Sequence, residues 1–390
     1  MNTGSKKGLT LKLHLNRGPN AIHRKASVCS ILVVLLIFTY SKVVFSKTQD
    51  DKASENVKNS GFIFIPAFFY TPETKIAGGA SVIYYYRSAN SAPNVRPSTI
   101  QPTFIYTQKN QIITSVFADL YWREETYRLN GAVSFKKYPD KFFGVGSKTT
   151  DAMEEEYTPK TFAFFLNLFR RVRPGLNFGL LYEYRHDSIT EIEKSGLLAA
   201  GNINGSDGGT VSGAGILVNW DTRDNIFYPT RGSFHQFSAA FFGSVLGSEF
   251  SFNRYVLDLR KYVSISASGV FAVQGFASFT TSRPSFQLLS QFGGQNMMRG
   301  YYEGRYRDKH GFVLQTEYRQ RLVGRIGLVG FLGVGEVADE LDGFDFEEAR
   351  ISVGLGLRYL YSSAEGINIR IDVGFRGGTP GPYITINEAF

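Results

Sequence analysis

From Gly61 onward, apolar and polar side chains alternate in runs of about ten residues, and each run ends at Gly, Pro, Asn or Asp. A two-residue period is the mark of a strand, because successive side chains leave a pleated backbone on opposite faces. In the run that begins at Gly366, Ile367, Ile369, Ile371, Val373 and Phe375 share one face, while Asn368, Arg370, Asp372, Gly374 and Arg376 share the other. The same division separates Ile351, Val353, Leu355, Leu357, Tyr359 and Tyr361 from Ser352, Gly354, Gly356 and Arg358. In a third run, Ile112, Val116, Ala118, Leu120 and Trp122 fall on one side.

Run length separates two architectures. Strands of soluble sandwiches average about 5–6 residues, whereas a tilted membrane-crossing strand needs about 9–11. The polar faces carry Arg, Asp and Glu, and Tyr, Trp and Phe gather near the run ends, as in interfacial girdles. Hydrocarbon offers no water to an unpaired backbone group, so long alternating strands must close on themselves. The pattern predicts an all-β protein: a transmembrane antiparallel β-barrel of about sixteen strands over residues 61–390, apolar face to lipid and polar face to lumen. An even count puts both ends of the barrel on the periplasmic side, so connections after odd strands face outward. The long connections expected at 139–157, 188–208 and 282–310 all follow odd strands.

Composition removes other classes. Among 390 residues, 43% are hydrophobic, and 34 Phe with 22 Tyr leave too much apolar surface for a disordered chain. The net charge of +9 suggests nucleic acid until it is located. Seven of the basic residues lie in 1–46 with no acid, which leaves 36 Lys and Arg against 34 Asp and Glu in the remainder. Those charges interleave, so no nucleic-acid partner is expected. The basic stretch ending at Lys25, the apolar run Val28 to Tyr40 and the small residue Ser46 read as a signal peptide over 1–46. That apolar run falls short of the roughly 20 residues of a spanning helix. Residues 47–60 are a polar, flexible periplasmic lead-in. Cys29, the only cysteine, precedes the apolar run and is given no role, so the processed chain has neither disulfides nor thiolate metal sites.

Two blocks go beyond strand grammar. In 219–232, Asp221, Arg223 and Asp224 precede Pro229, Arg231 and Gly232. Asp caps turns, Pro fixes φ and Gly admits positive φ, so the block is a turn, periplasmic by strand parity. An acid pair, Asp221 with Asp224, acting on a metal or in catalysis is the competing reading, but Arg223 and Arg231 offer simpler ion-pair partners. The second block, 293–308, is too long and aromatic to be merely solvated and is expected to fold inward. With Arg370 to Phe375 and the final Phe390, these blocks resemble the bacterial surface antigen domain. That domain is the barrel of the BamA/TamA superfamily of outer-membrane insertases and two-partner-secretion translocators.

The resemblance implies that Arg299, Gly300 and Tyr301 form an apex tucked into the lumen, with the arginine on acids of the wall. Gly permits close backbone approach, and the guanidinium fork suits a carboxylate. Glu317 is the matching acid. Relatives carry a second acid in a Phe-x-Asp-x-Gly pattern, where this chain has Phe331, Gly333 and Gly335; Glu336 is near but not at the matched position. The loop is either a static plug or a moving part. Insertases of this kind usually carry POTRA domains before the barrel, and 47–60 is too short for one, so client capture would need a separate partner.

Pro66 lies inside the first strand, and Gly381 and Pro382 open the last, expected to run from Tyr383 to the C-terminal Phe390. Proline cannot donate to a ladder, so a short, weakly paired seam is expected where these strands meet; the alternative is a bulge in a fully closed wall. His186, His235 and His310 are scattered, and Gly-x-Ser-x-Gly is absent. No catalytic residue, cofactor or metal is therefore expected. The reading is a non-catalytic barrel in the bacterial outer membrane assisting insertion, translocation or assembly of proteins or lipids. Its expected partners are outer-membrane lipid and periplasmic or outer-membrane accessory proteins. The alternative is a passive channel or structural barrel.

Overall fold

A computed structural model describes residues 60–87, 95–363 and 366–390. The expected signal peptide and the lead-in up to residue 59 lie outside the described residues, as does Cys29. Sixteen long strands follow one another: β1 Ser60–Thr71, β2 Lys75–Tyr86, β3 Ser98–Thr107, β4 Ile112–Trp122, β5 Tyr127–Lys137, β6 Glu155–Arg173, β7 Leu176–Ile192 and β8 Gly208–Asp221. The second half comprises β9 Gly232–Phe242, β10 Phe252–Ser264, β11 Gly269–Thr280, β12 His310–Val323, β13 Ile326–Ala338, β14 Arg350–Ser362, β15 Ile367–Arg376 and β16 Thr379–Ile386. Each pairs antiparallel with the next, and β16 returns to β1, closing a sixteen-stranded barrel. Helix among the described residues is confined to single 3₁₀ turns.

Burial is inverted relative to a soluble domain. On β15 the polar set Asn368, Arg370, Asp372 and Gly374 is buried, while its apolar neighbours are not. On β14 the buried set is Ser352, Gly354, Gly356 and Arg358, and Leu355 is 71% exposed. Phe62, Phe64, Leu180, Leu314 and Leu332 extend the exposed apolar set around the wall. Both sets obey the strand alternation, so charge collects on the interior face, where residues pair with each other across neighbouring strands.

Most connections after even strands are tight, as at 174–175 and 324–325, where Gly175 and Gly324 take positive φ; 87–97 and 222–231 are the longer ones. Those after odd strands include the long 138–154, 193–207 and 281–309, as strand parity predicted. Strands β6 and β7 run further than the expected 158–169 and 174–187. A register shift between Thr158 and Pro159 accommodates the proline, and the ladder resumes as far as Tyr157↔Ile192.

The last strand departs most from expectation. It spans Thr379–Ile386 instead of 383–390, so Pro382 sits inside it opposite Val373, and Phe390 lies outside it. Asn387 takes φ +67°, and the chain leaves the sheet there. The alternation explains why. Tyr383 and Thr385 are buried, so an extended continuation would aim Glu388 at the apolar exterior. A charge there is costly. Turning at Asn387 instead brings Glu388 to Arg358 at 2.7 Å and packs Phe390 beside Tyr262 and Ala272.

Candidate functional site

The 293–308 block meets the wall through its main chain and several side chains, Arg299 foremost. Arg299 Nη2 donates to Glu317 Oε1 at 2.5 Å, and Nη1 donates to Asp372. All three residues are at most 2% exposed, and the guanidinium carbon lies 3.6 Å from the centre of the Phe331 ring. Planar stacking and a two-carboxylate grip are contacts an arginine makes and a lysine does not. Gly300, at φ +109°, lies against Gly374 of β15; a Cβ on Gly374 would come within 2.3 Å of the Arg299 carbonyl. Bare backbone on both sides is what lets the loop rest directly on the strand. Gly300 N donates to Tyr383 Oη at 3.0 Å, Tyr301 Oη to the Ile351 carbonyl at 3.1 Å, and Ser352 Oγ to the Arg299 carbonyl.

Glu317 was anticipated and Asp372 was not. The position where relatives carry a second acid, Gly333, is occupied from the loop instead: a Cβ there would meet Met298 Sδ at 2.8 Å. Glu336 accepts from Asp345 N at 2.8 Å and makes no contact with Arg299. The second acid comes from β15 instead, and its signal in the sequence was a charge on the polar face of that strand.

The two acids anchor a wider network. Glu317 also takes Arg319 Nε at 2.8 Å, and Asp372 takes Arg358 Nη1 at 2.5 Å, with Arg370 Nε 3.5 Å away. Glu388 receives Arg358 and Asn368, and Arg319 Nη2 donates to the Phe390 main-chain oxygen at 2.8 Å. The loop apex and the last four residues therefore hang on one chain of ion pairs. Removing one partner of such a buried pair costs about 3–5 kcal/mol.

The 219–232 block forms the turn between β8 and β9. Arg223 grips Asp221 with Nε at 2.9 Å and Nη2 at 2.8 Å. Asp224 braces the far side of the turn instead: it accepts from Thr230 Oγ1 at 2.5 Å, Thr230 N at 2.9 Å and Arg231 N at 3.3 Å, while the Arg231 side chain is 82% exposed and 3.9 Å away. Burial pushes the Asp224 carboxyl up, but these hydrogen bonds outweigh it and hold it below the usual range. Pro229 is buried. Gly232, at φ +98°, has no room for a side chain, since a Cβ would meet the Thr222 carbonyl at 2.2 Å. Both acids are thus committed to the turn, and no group of three or more His, Cys, Asp or Glu among the described residues is arranged to hold a metal.

At the seam, β1 meets β16 in register only at Tyr70↔Ile384. Counting on from that pair, residues 64–67 would face 387–390, the residues that turn away. Pro66 sits in the part of β1 without a β16 partner and faces Ala80 of β2 on its other side. Phe390, expected at this junction, is inside against Tyr262, with the Arg319 guanidinium 5.5 Å from its ring.

The class defined by this geometry is a closed sixteen-stranded barrel with an arginine-anchored connection and a thinly paired junction. The Omp85 superfamily domain matches residues 96–381, and the chain belongs to that superfamily. A search of curated proteins by sequence finds no match. Among solved structures, the chain is similar to BamA from Haemophilus ducreyi lacking POTRA domains 1–3, with TM-score 0.60 and 14% identity over 84% of this chain and 70% of that one. It is also similar to CdiB from Acinetobacter baumannii (TM-score 0.54, 11% identity, 84% and 59% covered). CdiB from Escherichia coli matches with TM-score 0.57 and 10% identity over 86% of this chain and 64% of that one. The chain thus spans less than two thirds of either CdiB.

Proposed function

We propose that this chain is a non-catalytic barrel of the bacterial outer membrane that helps insert, translocate or assemble proteins or lipids there. The observation that supports it most is the seam, where β1 meets β16 at one register position and Asn387 to Phe390 turn inward. An unpaired edge in a lipid-facing wall is costly unless something pairs with it, so the edge is where a client segment would engage. A main-chain edge favours a protein segment over a lipid. In this reading the long connections face outward, the tight turns face the periplasm, and the 293–308 block folds into the bore. Lipid covers the exposed apolar band, and periplasmic or outer-membrane accessory proteins deliver clients.

The rival reading, a passive channel or structural barrel, draws on the polar interior. Planar-bilayer conductance separates the two. The proposal expects small, flickering currents from the wild type and larger, steadier openings from Arg299→Ala, which frees the loop from Glu317 and Asp372. Large stable steps from the wild type would overturn it.

A further inference from the structure

The turn end of the barrel holds a second, unassigned feature. A small, half-open cleft lies against the β12–β13 turn, lined by Arg319, Arg321, Arg325, Arg358, Tyr228 and Asn368. Arg319 and Arg358 are 1% and 3% exposed, yet Arg319 Nη1 and Arg358 Nη2 are buried without any hydrogen-bond partner in the protein. A buried charged donor left unpaired is expensive, which calls for an acceptor. The one carboxylate these two share, Glu388, is engaged at 2.7 Å by Arg358 Nε and at 3.8 Å by Arg319 Nε. Arg321 and Arg325 are exposed at the rim and form no ion pair among the described residues.

We infer that this cleft binds a phosphate-type oxyanion, with Arg319 and Arg358 at its floor and Arg321 and Arg325 at its rim. All four arginines line this half-open cleft, so a small anion at its mouth would face two buried donors without partners and two rim cations. Guanidinium forks match the paired oxygens of a phosphate. The group is either free phosphate or the headgroup of a periplasmic-leaflet phospholipid whose tails remain in the membrane.

The test uses the whole chain in a sugar-based detergent without phosphate. Titrating inorganic phosphate and following its ³¹P line width reads binding directly. Arg319 and Arg358 belong to the ion-pair network, so their removal endangers folding; the rim variant R321Q/R325Q touches no ion pair and is expected to fold, which a heat-resistant band on a gel checks. The wild type is expected to broaden the line saturably, and the rim variant to bind at least roughly tenfold more weakly, about one charge-assisted hydrogen bond. Native mass spectrometry with added phosphatidylglycerol identifies the source. Lipid adducts displaced by phosphate and lost in R321Q/R325Q support a headgroup, and phosphate binding without adducts supports the free ion. No saturable binding of either by the wild type, or equal binding by R321Q/R325Q, overturns the site.

Discussion

Strand β16 has two neighbours and treats them differently. On one side it pairs with β15 at eight consecutive positions, Arg376↔Thr379 through Ile369↔Ile386. On the other it meets β1 only at Tyr70↔Ile384, although β1 itself pairs with β2 at twelve positions. Ile384 belongs to both sides, facing Ile371 across one and Tyr70 across the other. The difference cannot come from strand propensity, since the same residues serve both edges. It comes from where the strands end: Thr379 to Pro382 run past the end of β1 at Thr71, and beyond Ile386 the tail that would have zipped along β1 leaves the sheet, with Glu388 drawn inside by Arg358. Ion pairing inside the bore thereby takes away the residues that could have lengthened this junction.

The β15 side should be the harder to break. Arg299→Ala removes the grip on Asp372 and Glu317 that presses the loop against Gly374, and about 3–5 kcal/mol should be lost in urea unfolding from lipid vesicles. Asp372→Asn should cost a comparable amount: Glu317 still holds Arg299 and Glu388 still holds Arg358, but Arg370 loses its ion-pair partner. A charge on the outer wall should sharpen the contrast. Leu355→Arg, in the middle of β14, is expected to cost about 2–4 kcal/mol, whereas Phe62→Arg, near the start of β1 beside the seam, should cost about 0–1.

The turn between β8 and β9 serves as a control remote from either side. Asp224→Asn should lose about 1 kcal/mol at neutral pH through weaker bonds to Thr230 and Arg231. Because the folded-state value is depressed, that stability is present above the ordinary carboxylate range and disappears as pH falls through the lowered value. Wild type and variant should therefore converge in strong acid; a constant gap at all pH values would exclude the carboxylate as the cause. The smallest effect belongs to Pro66→Val, which restores one N–H on β1 and should change stability by under about 1 kcal/mol. A larger gain would mean that the proline alone keeps the seam thin.

Much of this was legible in the alternation. The period-two runs locate all sixteen strands, because a wall between lipid and a polar bore leaves each position one acceptable chemistry. Gly232 stood out because its turn needs that residue type, and Arg299 because its block resembles a known family. Asp372 was hidden, since which strand faces Arg299 depends on how the barrel closes and not on local sequence. The tail was misread as strand through Phe390, yet Glu388 carried a warning: in register, its carboxylate would have pointed at lipid. The junction between β1 and β16 depends on that one turn at Asn387, and residues far apart in the chain decide it.

Cross-linking Ile384 to each neighbour in turn tests the central claim most directly. The readout is the rate at which proteoliposomes carrying the chain accelerate insertion of an unfolded outer-membrane barrel. Oxidised Tyr70→Cys/Ile384→Cys should abolish the acceleration and recover it on reduction, while oxidised Ile371→Cys/Ile384→Cys should retain it. Equal activity with both cross-links closed would contradict the account.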